Sequence, residues 1–198
     1  MKVPILAVAV LAGLELAAPC SAQEPLSIPA QSCNAGSTAD ARRALAWSDY
    51  EFGRNQGLPM ELQARGCFIQ AAEASRDYLA FGPKLDVRQQ AITTFHMGRN
   101  LALAGREAEA AIAVAASRRS DQAAGGLDWN RYVQGVYAFL VKDAAVLEQA
   151  VSSLTASTAE GDRTNAANLR RLKQCFTRSY LAAMNDPACM VGAAAASH

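Results

Sequence analysis

Two histidines, five cysteines and a few short arginine clusters carry most of the reactive chemistry in this 198-residue chain. His198 is the last residue, which leaves His96 as the single candidate general base. It stands beside Phe95 in a helical pattern, and a lone histidine there reads first as a partly buried structural residue. No GxSxG, HExxH or Walker-type run occurs. Gly125-Gly126 precedes Asp128 rather than a phosphate-cradling lysine, so it marks a loop. Glu107 and Glu109 match no metal-loop spacing, and neither a metal nor another cofactor is expected. The basic groups Arg42-Arg43, Arg118-Arg119 and Arg170-Arg171-Lys173 are short and balanced by nearby acids, as on solvated helix faces. With 19 basic and 18 acidic residues and no basic stripe, nucleic acid is not an expected partner.

The cysteines depend on the compartment. Lys2 opens a short positive start, Val3 to Ala18 is apolar except for Glu15, and Cys20-Ser21-Ala22 supplies small residues for cleavage before Gln23. Residues 1–22 therefore read as a signal peptide of a periplasmic or secreted protein, too short for a comfortable membrane span. Lipidation at Cys20 is the rival reading and the only one that brings membrane association, but Pro19 directly before the cysteine suits a lipobox poorly. Removal of Cys20 leaves Cys33, Cys67, Cys175 and Cys189 in an oxidising compartment. Of three possible pairings we favour Cys175 with Cys189, around Asn185-Asp186-Pro187, and Cys33 with Cys67. As structural staples, each contributes roughly 2–4 kcal/mol.

The elements that must position these residues are helical. Of the 198 residues, 43 are alanine, which favours close-packed helices with modest cores. After an arm over 23–36, seven helices are expected within a domain at 37–184, followed by a tail at 185–198. Ser37-Thr38 starts the first, which ends near Asn55-Gln56-Gly57; Pro59 opens the second, which Gly82-Pro83 stops. Asp86 and Gln89 form a capping box for the third, and Gly105 separates it from the fourth at 107–118. Asp128 caps the fifth, whose Trp129, Tyr132, Val133, Val136 and Leu140 recur on one face. Lys142-Asp143 turns into the sixth, and the seventh runs from about Thr164 to Met184. Short links make neighbouring helices antiparallel hairpins.

The third and fourth helices and the fifth and sixth repeat at an offset of 37 residues, set by Gly98 and Gly135. Gly98, Leu101, Gly105 and Ala110, in that order, resemble the tetratricopeptide repeat. The second copy keeps Gly135, turns one residue late at Asp143, and has Ala150 only near the matching alanine. The resemblance implies an all-α fold in which hairpins stack as a short solenoid, closed by a C-terminal capping helix. It also implies a concave groove for a protein or peptide partner, with Phe95 and Arg99 facing it from one copy and Trp129 and Tyr132 from the next. Their spacing is equally that of a core, the preferred reading for each aromatic. The expected function is non-enzymatic binding of a protein or peptide partner in the cell envelope, an adaptor or scaffold role. Two alternatives stand beside it: an enzyme with a site around His96, or a lipid-anchored structural component of the envelope.

Overall fold

The computed structural model describes residues 33, 37–53, 58–122 and 127–190. The expected signal segment, the arm apart from Cys33, the end of the first helix at 55–57, the Gly125-Gly126 loop and the tail from 191 onward lie outside the described residues. Among the described residues the secondary structure is helical throughout, in ten α-helices and one 3-10 turn.

Three of the seven expected helices are each divided in two. The first becomes α1 (Ala39–Arg43) and α2 (Trp47–Phe52), parted at Ala44–Ala46. The second becomes α3 (Pro59–Ala64) and α4 (Phe68–Phe81). Gly66 makes that break with a φ of 76°, a left-handed conformation that costs glycine little. The seventh becomes α9 (Glu160–Gln174) and α10 (Tyr180–Asn185), after which Pro187–Cys189 forms the 3-10 turn. A disulfide cysteine sits at two of the breaks, since Cys67 precedes α4 and Cys175 ends α9.

The middle of the chain follows its caps closely. Asp86 and Gln89 form the expected capping box on α5 (Val87–Leu103), and Gly105 with a φ of 78° turns the chain into α6 (Glu107–Ala116). The Asp128 carboxylate accepts from the Arg131 N–H to cap α7 (Trp129–Leu140), and Asp143 caps α8 (Ala144–Thr155) through the Val146 N–H. Lys142, at a φ of 60°, occupies the turn between them. Its Nζ donates to the Phe176 and Arg178 carbonyls at 3.2 and 2.9 Å and lies 3.8 Å from the centre of the Phe139 ring. The amine that justifies the strained backbone therefore ties the α7–α8 turn to the segment after α9.

From α2 onward chain neighbours pack on one another, α1 packs on α4, and α7 meets α6, α8 and α9. Glycine permits the closest approaches. A Cβ at Gly98 would lie 2.8 Å from Val114 Cγ2, and one at Gly135 would meet Leu169 and Ala150 at once. The largest core runs through α5 to α10, while two smaller clusters lie around Leu62–Cys67–Ala71 and around Tyr50–Leu58–Tyr78. In the last, Tyr50 stacks on Tyr78 at 3.6 Å between ring centres.

Both favoured disulfides are present, Cys33–Cys67 and Cys175–Cys189. The second holds the 3-10 turn against α9 and buries Cys189. Two bridges suit an oxidising compartment, extracellular or periplasmic. No helix among the described residues is long and apolar enough to cross a membrane.

Candidate functional site

The aromatic residues at the repeat positions are interior. Phe95, Trp129 and Tyr132 are buried, with the Phe95 ring 5.1 Å from Trp129 and 5.3 Å from Tyr132 between centres. Trp129 Nε1 donates to the Ser117 carbonyl at 2.8 Å, so even its polar edge is used inside the fold. The three rings weld α5 to α7. Arg99 differs: it turns toward Tyr180 of α10 and Tyr132, and it also lines a cleft along α5.

That cleft is the most chemically specific feature of the molecule. It has a volume of about 160 Å³ between α2, α3 and α5, lined by Glu51, Pro59, Met60, Gln63, His96, Arg99 and Asn100. His96, Arg99 and Asn100 fall at i, i+3 and i+4, which places them on one face of α5. Pro59 and Met60 add an apolar wall from the first turn of α3.

Glu51 is the residue that the sequence did not flag. It is only 2% exposed, and a carboxylate buried that deeply requires donors. It has them: Thr93 Oγ1 donates to Oε2 at 2.8 Å and His96 Nδ1 bonds to Oε1. Thr93 in turn accepts from Trp47 Nε1 at 3.0 Å. The donors run in one direction, from the indole to the hydroxyl to the carboxylate. An ionised carboxylate only accepts, so the imidazole proton facing it belongs to Nδ1. In the neutral ring this makes Nε2 the acceptor, held at the orientation that Glu51 sets. A signal was available: Glu51 lies four residues after Trp47 and next to Tyr50, on the stripe that should be apolar.

Two further polar atoms of these residues have no hydrogen-bond partner among the described residues. Asn100 is 1% exposed, and its Oδ1 accepts no hydrogen bond. Arg99 Nε is likewise buried and unpaired, and no carboxylate forms an ion pair with the guanidinium among the described residues. An unsatisfied buried acceptor costs about 1–3 kcal/mol. Both residues line the cleft beside the oriented imidazole.

A second recess, of about 440 Å³, lies beside Cys33 and is lined by Arg42, Glu73 and Asp77 among others. Its charged groups are largely engaged: Arg43 Nε donates to Asp77 at 2.9 Å, and Arg42 donates to the Ser37 carbonyl at 2.6 Å. Residues 34–36 lie outside the described residues.

No group of three or more metal-ligating side chains occurs among the described residues. No protein-family model, curated protein or solved structure matches the chain.

Proposed function

We propose that this chain is an exported, disulfide-stapled protein of stacked helical hairpins that binds a protein or peptide partner through the cleft at Glu51, His96, Arg99 and Asn100. One observation carries the reading: Asn100 Oδ1 and Arg99 Nε, on consecutive residues that line the cleft, are buried and unpaired among the described residues. A peptide group brings what they lack, an N–H for the amide oxygen and a C=O for the guanidinium N–H. Folding around such a pair costs stability, and a ligand that completes both hydrogen bonds repays it in affinity. The hairpins α5/α6 and α7/α8, pressed together at Gly98 and Gly135, support a repeat-like scaffold behind this face. In this reading the aromatic triad of Phe95, Trp129 and Tyr132 serves as the rigid backing of α5, and of the four groove candidates Arg99 alone meets the partner.

The test is selection of phage-displayed random peptides on the folded protein and, in parallel, on Asn100→Leu. Peptides that enrich on the wild type and fail on Asn100→Leu are expected. Enrichment of the same sequences on both would show that the cleft does not do the binding.

A further inference from the structure

The cleft holds more than a binding pair needs. A recognition site for one peptide group has no use for a buried glutamate, a threonine and a tryptophan arranged in series behind a histidine. That series fixes the tautomer and the angle of His96, leaving Nε2 as the ring nitrogen without a partner among the described residues. On the same helical face stands Arg99, a buried cation with no carboxylate to neutralise it. An oriented base and an uncompensated positive charge in one cleft are the two requirements for attack of water on a carbonyl group.

We propose that the cleft, read as above as the place where a carbonyl group docks, is also a general-base site that hydrolyses short-chain carboxylic esters. His96 Nε2 takes a proton from water as the water oxygen bonds to the ester carbonyl carbon. The carbonyl π electrons move onto oxygen, and the positive charge of Arg99, which no carboxylate among the described residues neutralises, stabilises the resulting oxyanion. When the C=O re-forms, the bond to the alkoxy oxygen breaks, and that oxygen takes the proton from His96 Nε2. The products are a carboxylic acid and an alcohol, and His96 returns to its starting tautomer. Glu51 touches no reacting atom; it is a positioning residue, with Thr93 and Trp47 behind it.

The cleft also sets the substrate class. About 160 Å³ admits a small acyl group with its water, and Pro59 and Met60 offer that group an apolar wall. An alcohol leaves with the single proton His96 carries. An amine is a far poorer leaving group than an alkoxide, so a bound peptide stays intact where an ester reacts. This departs from the sequence-based expectation of no catalysis because Glu51 comes to His96 from 45 residues away and shows in no local motif.

The experiment follows release of 4-methylumbelliferone from its acetate ester by the full chain with both disulfides formed. The wild type is expected to exceed free imidazole at equal concentration by at least about 100-fold, and His96→Ala to lose that excess. Added imidazole should restore part of the His96→Ala rate, which a merely structural histidine would not allow. Thr93→Val, which leaves His96 and Arg99 in place, should lower kcat with little change in KM. A wild-type rate no greater than that of free imidazole, or a His96→Ala rate equal to the wild type's, overturns the proposal. Peptide enrichment that persists without esterase activity would remove this proposal and leave the binding reading standing; loss of both would remove both.

Discussion

Replacing Asn100 by leucine should make this protein more stable while abolishing the proposed binding. The side chain is 1% exposed and its Oδ1 is unpaired, so the folded state carries an orphan acceptor. Its removal is worth about 1–3 kcal/mol, since an apolar side chain of similar size has no lost hydration to replace. Leucine also favours the interior of α5 by a few tenths of a kcal/mol over asparagine. The two side chains fork alike at Cγ, so leucine needs little additional room. A net gain of about 1–2 kcal/mol is expected, which for a chain of this size raises Tm by about 2–8 °C. Thr93→Val supplies the opposite sign. Thr93 Oγ1 both accepts from Trp47 and donates to Glu51, and its loss orphans two groups at about 1–3 kcal/mol each. Urea denaturation and thermal melts of the two variants beside the wild type decide the matter. A fall of 1 kcal/mol or more for Asn100→Leu, on the order of one ordinary hydrogen bond, would refute the reasoning by showing that Oδ1 is already satisfied.

Gly135→Ala should destabilise by about 1–3 kcal/mol, because the new methyl meets Leu169 and comes within 3.1 Å of Ala150 Cβ; an unchanged urea midpoint would contradict the packing of α7 against α8 and α9. Changing Cys175 and Cys189 together to alanine should cost about 3 kcal/mol for a loop of this length, 14 residues, and hydrogen exchange should rise in residues 180–189 before it rises in α7. Burial raises the Tyr132 phenol from 10.0 to about 12, so the folded state holds that proton more tightly than the unfolded chain does. Stability should be complete below about pH 10 and fall as the pH rises towards about 12, with Tyr132→Phe flattening the loss in alkaline melts. The Asp186 carboxyl is held below its ordinary value by the Ala188 N–H and by Arg178, and Asp77 is held down by Arg43. Both contributions are present above the unfolded value and should be lost progressively as the pH drops below about 4 through the lower folded values, seen as a lower Tm in acid.

Local chemistry was written plainly in the sequence. Asp86 with Gln89, Asp128 and Asp143 start helices where their side chains satisfy free N–H groups, Pro59 starts one at a position where its missing N–H costs nothing, and Gly105 turns the chain with a backbone few other residues accept. The interruptions were harder to see. Leu62, Ala71 and Tyr78 keep facing the interior across the break at Gly66, so the apolar spacing continues although the helix does not. Cys175 and Phe176 similarly continue the stripe of α9 after the helix has ended. The site was the least legible part, because its key contact joins α2 to α5. A glutamate on a short amphipathic helix ordinarily faces water, and only its place on the Trp47–Tyr50 stripe marked it as buried. His96 was visible as a residue, but its orientation depends on Glu51 and Thr93, which pattern alone does not bring together.

The two tryptophans give the most direct test of the cleft as the binding site. Trp47 Nε1 donates to Thr93 in the network behind His96, whereas Trp129 Nε1 donates to Ser117 in the core. Their indole N–H resonances can be followed by NMR while N-acetylglycine N-methylamide, a minimal molecule with two peptide groups, is titrated in. The account predicts a saturable shift of the Trp47 resonance, a still Trp129 resonance, and no Trp47 response in Asn100→Leu. A still Trp47 resonance, or one that moves equally in Asn100→Leu, would contradict it.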